Sequence, residues 1–466
     1  MKKTIFLGMF LLSGITSALK AEIQLPPFFA NDMVIQRETT TKIWGKAEAQ
    51  KKVNLVTSWN LKRYTTTSDV DGNWELSINT PKAGGPYTIV ISDGKPMTIN
   101  NVMSGDVWLC SGQSNMEMTM KGYTSQPVEG STMDIIRSEN KKIRLFTVKK
   151  NHSLTPLNTV TGRWEEAMPV SVGNFSATGY YFGRLLNEIL DIPIGLINSS
   201  WGGSKIESWM NSEMLTEFPG TALPVESENV KSPNKLPLYL YQAMIHPLTG
   251  MAIRGVIWYQ GESNVNNANE YAELFGAMVN GWRKTWNQPD MPFFFCQIAP
   301  YRYREDEQSA YLREAQLKAS QTVENTGMAV LMDIGEFPTI HPAKKREAGE
   351  RLALLALANH YNFAGITGDS PVYKSIEIKD NTVTVHFDNA PRGVCSKDFV
   401  SHLFTIAGED KVFYPAKARI SGSRVIVSSE QVTNPVAVRY AFENFVVGDL
   451  FGIDGLPVSS FRSDNW

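Results

Sequence analysis

Apolar and polar residues along this chain change period twice. From residue 22 to about 103, short apolar-alternating runs predict strands: Val34-Ile35-Gln36, Thr41-Lys42-Ile43-Trp44 and Val53-Asn54-Leu55-Val56. Asp71-Gly72-Asn73-Trp74 and Gly84-Gly85-Pro86 read as the turns between such strands, and the spacing predicts a small β-sandwich. From about 104 to 368 apolar strands alternate with helical periods. Tyr180–Leu190, Tyr271–Trp286, Arg313–Thr322 and Pro342–Leu357 repeat apolar residues at helical spacing. Ile192–Asn198 and Pro292–Ile298 read as buried strands. That alternation predicts an α/β domain whose parallel sheet is covered on both faces. From 369 to 466 strand character returns, as in Thr382–Phe387 and Arg424–Val427.

In such a sheet ligands bind at the carboxyl ends of the strands. Three strand ends carry polar, glycine-rich turns: Gly112-Gln113-Ser114-Asn115, Ser199-Ser200-Trp201-Gly202-Gly203-Ser204 and Gln260-Gly261-Glu262-Ser263. A fourth polar element, Thr339-Ile340-His341-Pro342, opens a helix. Small hydroxyls, amides and glycines on tight turns suit an exposed nucleophile and donors aimed at an oxyanion.

Length adds a prior of roughly three domains, here 22–103, 104–368 and 369–466. A net charge of -2 argues against nucleic-acid binding, which needs a basic surface. Lys2 and Lys3, the apolar Ile5–Leu12 and the small-residue zone Ser17–Ala21 predict a secretory signal over residues 1–21, hence a periplasmic or secreted protein. No later segment reaches the ~20 apolar residues of a membrane span. No Cys lies near the cleavage zone, which speaks against a lipid anchor. The three cysteines, Cys110, Cys296 and Cys395, are too few and odd in number for a disulfide framework. No Cys/His cluster has zinc spacing, and no cofactor motif occurs, so no metal or cofactor is expected.

Ser114 is the best nucleophile by position, although Met116 stands where the elbow of α/β-hydrolases has its second glycine. Taken alone it equally suits a helix N-cap. A serine nucleophile needs a base, and six histidines occur: His152, His246, His341, His360, His386 and His402. Only His341 both precedes a helix and falls late in the α/β region. The oxyanion donors expected are the Ser114 amide, the Gly203 or Gly202 amide and the Gln260 side chain, each contributing ~3 kcal/mol.

Together these motifs resemble the sialate O-acetylesterase family of the SGNH (GDSL-like) hydrolases. The matching stretches are Gly105–Met118, Gly195–Trp209, Trp258–Asn264 and Ile340-His341-Pro342, with Asn31–Arg37 and Asp454–Arg462 beyond them. The resemblance implies a three-layer α/β catalytic domain flanked by β-structure, and removal of O-acetyl groups from sugars. It implies Ser114 as nucleophile, His341 as base, and Gly203 and Gln260 in the oxyanion hole. In many SGNH enzymes an Asp stands three residues before the His; here that residue is Pro338. Asp333, Glu336, Glu262 or a backbone carbonyl remain as the group that orients His341. The helix after His341 points its positive end at the ring and disfavours the imidazolium.

The substrate expected is an O-acetylated sugar, sialate first. Lys205, Arg302 and Arg304 are candidate partners for a sialate carboxylate, and Trp201 and Trp209 for a sugar ring, core packing being equally open to both. Acetylated plant polysaccharides such as xylan or pectin are the alternative substrate. A non-catalytic carbohydrate-binding protein and a lipase are readings of other classes; the lipase would need a lid, and only Ser212–Pro237 is unassigned.

Overall fold

The computed structural model describes residues 22–225, 230–304, 308–397 and 399–466. The secretory signal expected over 1–21 lies outside them. The first six strands are β1 (Val34–Gln36), β2 (Thr40–Lys46), β3 (Lys52–Thr57), β4 (Arg63–Thr67), β5 (Asn73–Asn79) and β6 (Gly84–Ser92). The next, β7 (Pro96–Gly112), is 17 residues long and joins two parts of the molecule. Its first half pairs antiparallel with β6 in the amino-terminal β-structure; its second half is a central strand of the parallel sheet. The boundary expected near 103 therefore falls inside one continuous strand.

The remaining strands of that sheet are β8 (Asn140–Thr147), β9 (Trp164–Ala167), β10 (Ile194–Ser200), β11 (Gly255–Tyr259), β12 (Phe293–Cys296) and β13 (Thr326–Ala329). Their order is β13-β12-β11-β7-β10-β8-β9, parallel except for β9. The helices are α1 (Ser114–Glu117), α2 (Ser131–Ile136), α3 (Pro169–Gly173), α4 (Ala177–Leu190), α5 (Ala268–Trp286), α6 (Ser309–Thr322) and α7 (Lys345–Leu355).

The two-residue period of the strands divides the core into two layers. Trp258, Phe293 and Phe295 pack with Tyr271, Phe275 and Trp282 of α5 and Leu312 of α6. Their neighbours Ile257, Tyr259, Phe294 and Cys296 face the other way, with Tyr181, Phe182 and Leu186 of α4 and Leu352 and Leu355 of α7. This is a three-layer α/β domain, with antiparallel sheets after it. Cys110 and Cys296 are buried and Cys395 half-buried, all as free thiols.

Helix α7 starts at Lys345, later than the apolar period predicts, and Pro342-Ala343-Lys344 stay in the loop. The sequence pattern marks which residues are apolar, not where hydrogen bonding closes the first turn.

Asp106, fully buried in β7, ties the sheet's lower end together. It accepts from Arg37, Arg254, Gln36 and Tyr361. Burial pushes its carboxyl up, but Arg254 and Arg37 outweigh this and hold it below the ordinary value. Asp106→Ala is expected to lower stability by about 3 kcal/mol, read from urea unfolding at neutral pH, because two guanidinia lose their shared partner. A depressed carboxyl stabilises above the unfolded pKa and loses that contribution as pH falls, so the variant's deficit should shrink in acid.

Candidate active site

Strands β7, β10 and β11 end at one level: Gly112 is in register with both Ser200 and Tyr259. Gly112 has φ +130, and a Cβ there would lie 2.2 Å from the Tyr259 carbonyl oxygen, so only glycine lets the two strand ends close. The chain then turns at Gln113, whose Oε1 accepts from the Gly261 and Ser263 amides, both at 3.3 Å. The turn at the end of the first strand is thus pinned to the turn at the end of the third. Ser114 opens α1 directly after it.

The Ser114 hydroxyl lies 2.8 Å from His341 Nε2. The other ring nitrogen, Nδ1, lies 2.5 Å from the side-chain oxygen of Gln126. A carboxamide oxygen only accepts, so Nδ1 carries the hydrogen and Nε2 turns its lone pair to the serine. Gln126 sits in a tight turn closed by reciprocal backbone bonds with Tyr123. Gly122, at φ +77, lets that turn form; a Cβ would lie 2.3 Å from the Gln126 carbonyl oxygen. Tyr123 lays its ring edge-on to His341 at 5.3 Å and donates its hydroxyl to the Ser114 carbonyl at 3.2 Å.

None of the carboxylates considered behind His341 reaches it. Asp333 is held by both Arg351 nitrogens at 2.7 Å. Glu336 accepts from the Ala343 amide at 2.7 Å. Glu262 accepts from Asn115 Nδ2 at 2.5 Å. The position left by Pro338 is filled instead by an uncharged acceptor from a distant loop. Burial, and behind it the nearby Lys345 ammonium, push His341 down to about 4. The ring is therefore neutral and able to accept a proton across the neutral range.

The second turn lies against Ser114. A Cβ on Gly202 would come within 3.3 Å of the Ser114 Cβ. The Gly202 amide donates to Glu117, whose other oxygen pairs with Lys150. Among the described residues, nothing accepts from the amides of Ser114 and Gly203, which leaves two backbone donors beside the serine hydroxyl. Gly203, at φ +70, is tied through Asn234, which donates to the Gly202 carbonyl at 2.8 Å. Asn234 comes from the segment the sequence pattern left unassigned.

Gln260 is fully buried, and its two amide hydrogens already have acceptors: the Ser204 carbonyl at 3.1 Å and Asn264 Oδ1 at 2.7 Å. Its oxygen accepts from Tyr271 at 2.9 Å. In this geometry Gln260 holds the Gly203-Ser204 turn to the third strand end and offers no free hydrogen to an oxyanion. Its type and spacing identify a polar strand end, but its rotamer is decided by Asn264 and Tyr271.

Trp209 is wholly buried and donates to Ser204 Oγ at 2.9 Å, a core role. Trp201 is half-buried, with Lys150 over its face at 5.6 Å, and remains the candidate sugar platform. Lys205 is half-buried and Arg302 exposed; Arg302 lies over Phe337 at 5.0 Å. Sequence reasoning missed Gln126, Tyr123, Asn234 and Lys345. Gln126 is 215 residues from His341, Lys345 is 230 from Asn115 and Asn234 is 32 from Gly202, whereas Tyr123 is nine from Ser114; none lies in a motif of its own. Among the described residues no group of three or more His, Cys, Asp or Glu is placed to hold a metal ion, and no helix is long and apolar enough to cross a membrane.

Residues 104–357 match the model of a family described as carbohydrate esterase, sialic acid-specific acetylesterase. Sialate O-acetylesterase of Rattus norvegicus is 31% identical over 422 residues, covering 75% of this chain and 76% of the relative. That of Homo sapiens is 30% identical over 391 residues, covering 75% and 73%. Among solved structures, a carbohydrate acetylesterase from Xanthomonas citri superposes with a TM-score of 0.88 at 35% identity, covering 96% of this chain and all of that one. Fold and relatives define a carboxylic ester hydrolase built on a three-layer α/β domain. The chain belongs to the sialic acid-specific acetylesterase family of carbohydrate esterases, and is a sialate O-acetylesterase-like carbohydrate acetylesterase.

Proposed function

We propose that this protein hydrolyses O-acetyl esters of sialic acids through Ser114 and His341. The observation that carries the mechanism is the 2.8 Å contact between Ser114 Oγ and His341 Nε2, with Gln126 behind the ring. Ser114 attacks the acetyl carbonyl as His341 takes its proton. The amides of Ser114 and Gly203 hold the resulting oxyanion. Collapse breaks the ester bond, and the sugar hydroxyl leaves with the proton from His341. Water then attacks the acetyl-enzyme, His341 takes its proton, and acetate departs as Ser114 regains its hydrogen.

Sialate differs from neutral acetylated sugars in its carboxylate. Lys205, half-buried directly after Ser204, and the exposed Arg302 are the cations offered to that carboxylate. The secretory reading of residues 1–21 agrees with an extracellular or periplasmic glycan substrate. The expected result is faster acetate release from O-acetylated sialic acid than from acetylated xylan, with the advantage cut about tenfold in Lys205→Met/Arg302→Met. Acetylated xylan preferred at equal enzyme would transfer the function to plant polysaccharides. Saccharide binding without acetate release would make the chain a binding module.

A further inference from the structure

Lys345 is almost wholly buried. Its ammonium donates to Asn115 Oδ1 and to the Pro342 carbonyl, each at 2.7 Å. Asn115 follows Ser114 in the chain, and Pro342 follows His341. The other end of the Asn115 carboxamide donates to the Ile340 carbonyl at 3.1 Å and to Glu262 at 2.5 Å. Both carbonyls flanking His341 are thereby tied to the residue beside the nucleophile, one directly and one through Lys345.

Burying an ammonium costs several kcal/mol, and an apolar residue would fill the same space at less cost. The groups facing Lys345 offset only part of that. Glu262 lies beyond Asn115, with its second oxygen buried and unpartnered. Cys296 approaches from β12 and Glu336 from the loop before α7. Around His341 itself stand Ser114, Gln126 and Tyr123. Among the described residues, no other cation donates to both Asn115 and a carbonyl flanking His341.

We propose that Lys345 is a positioning residue for ester hydrolysis, clamping the carbonyl after His341 to the side chain after Ser114. The proposal rests on the Ser114–His341 reading. The clamp holds two loops, far apart in sequence, at the separation that proton transfer needs; a misplacement of about 1 Å costs about 10²-fold in rate. The charge acts separately. Burial pushes Lys345 down to about 7, so it is still an ammonium where His341 titrates, near 4. There it opposes a second positive charge on the ring.

The test uses the full chain with 4-nitrophenyl acetate. Active sites are counted by stoichiometric labelling with an organophosphate, so unfolded protein does not enter kcat. In Lys345→Met, kcat per active site should fall about tenfold or more with KM within about twofold. The acid limb of its kcat/KM profile should also move to higher pH, because the ring holds its proton more readily. Absence of either change overturns the proposal. A kcat loss with an unmoved acid limb would mark Lys345 as a packing residue. If Lys345→Met yields no labelled sites, Asn115→Ala decides: it breaks the clamp and leaves the charge. A fall in kcat at constant KM with the wild-type acid limb supports the clamp, and any other pattern overturns it. Ser114→Ala runs alongside; activity retained there would refute the Ser–His reading itself, independently of Lys345.

Discussion

Ser114→Ala is expected to lower kcat for acetyl ester hydrolysis by about four orders of magnitude or more, with little change in KM. Its hydroxyl lies 2.8 Å from His341 Nε2. The substitution removes the oxygen that forms the acetyl-enzyme and leaves the Ser114 and Gly203 amides in place. Residual hydrolysis should therefore come from water polarised at those amides, and adding His341→Ala should cost little more. That non-additivity is characteristic of residues acting as a unit. Fold integrity is checked by an unchanged thermal midpoint, since α1 starts at the Gln113 turn and no structure depends on the serine hydroxyl. Activity near wild type in Ser114→Ala would remove the mechanism altogether.

Gln126 carries the second large effect. Gln126→Ala should lower kcat about 10²-fold, because the ring loses the acceptor that fixes its tautomer and its angle to Ser114. Gln126→Glu separates the two properties of that group. A carboxylate still accepts from Nδ1–H, so orientation is kept and the plateau rate should stay close to wild type. It also places a negative charge against the imidazole, favouring its protonated form. In the wild type, activity should fall only as pH drops towards about 4, where His341 takes up its proton. In Gln126→Glu the limb should rise by about one pH unit or more, so the variant loses activity at mildly acidic pH where the wild type retains it. The kcat/KM profile between pH 3 and 8 measures both. A limb that stays in place would mean that Gln126 does not face the ring in the working enzyme.

A neutral acceptor behind the base has a consequence for the chemistry. An Asp in that place would stabilise the imidazolium formed on attack; here the ring is kept weakly basic by burial and by Lys345. The oxyanion donors and the geometry of the pair must then supply more of the barrier lowering.

The strand-end motifs were legible because their chemistry is local. Gly112 must be glycine where two strand ends meet, Gly203 must adopt a positive φ, and a hydroxyl must follow the turn. Periodicity likewise marks both faces of the parallel sheet, since Trp258 and Ile257 must be apolar on opposite sides. The group behind His341 had no such signal. The expected spacing looked for a carboxylate close in sequence, and Asp333, Glu336 and Glu262 were the available ones. Each is consumed elsewhere: by Arg351, by the Ala343 amide and by Asn115. Gln126 resembles any loop glutamine until folding brings it to the ring.

By itself the sequence determined the layer architecture and the polar strand ends, and offered a serine and a histidine as candidate nucleophile and base. These follow from periodicity and backbone sterics, which act over a few residues. Only the tertiary structure decided that Gln126 orients His341, that Gln260 spends its amide on the Ser204 turn, and that Lys345 ties both loops together. Hydrogen-bond partners are chosen by proximity in space, and every buried polar group must find one. Which donor meets which acceptor is settled when loops separated by hundreds of residues pack, and no local pattern records that choice.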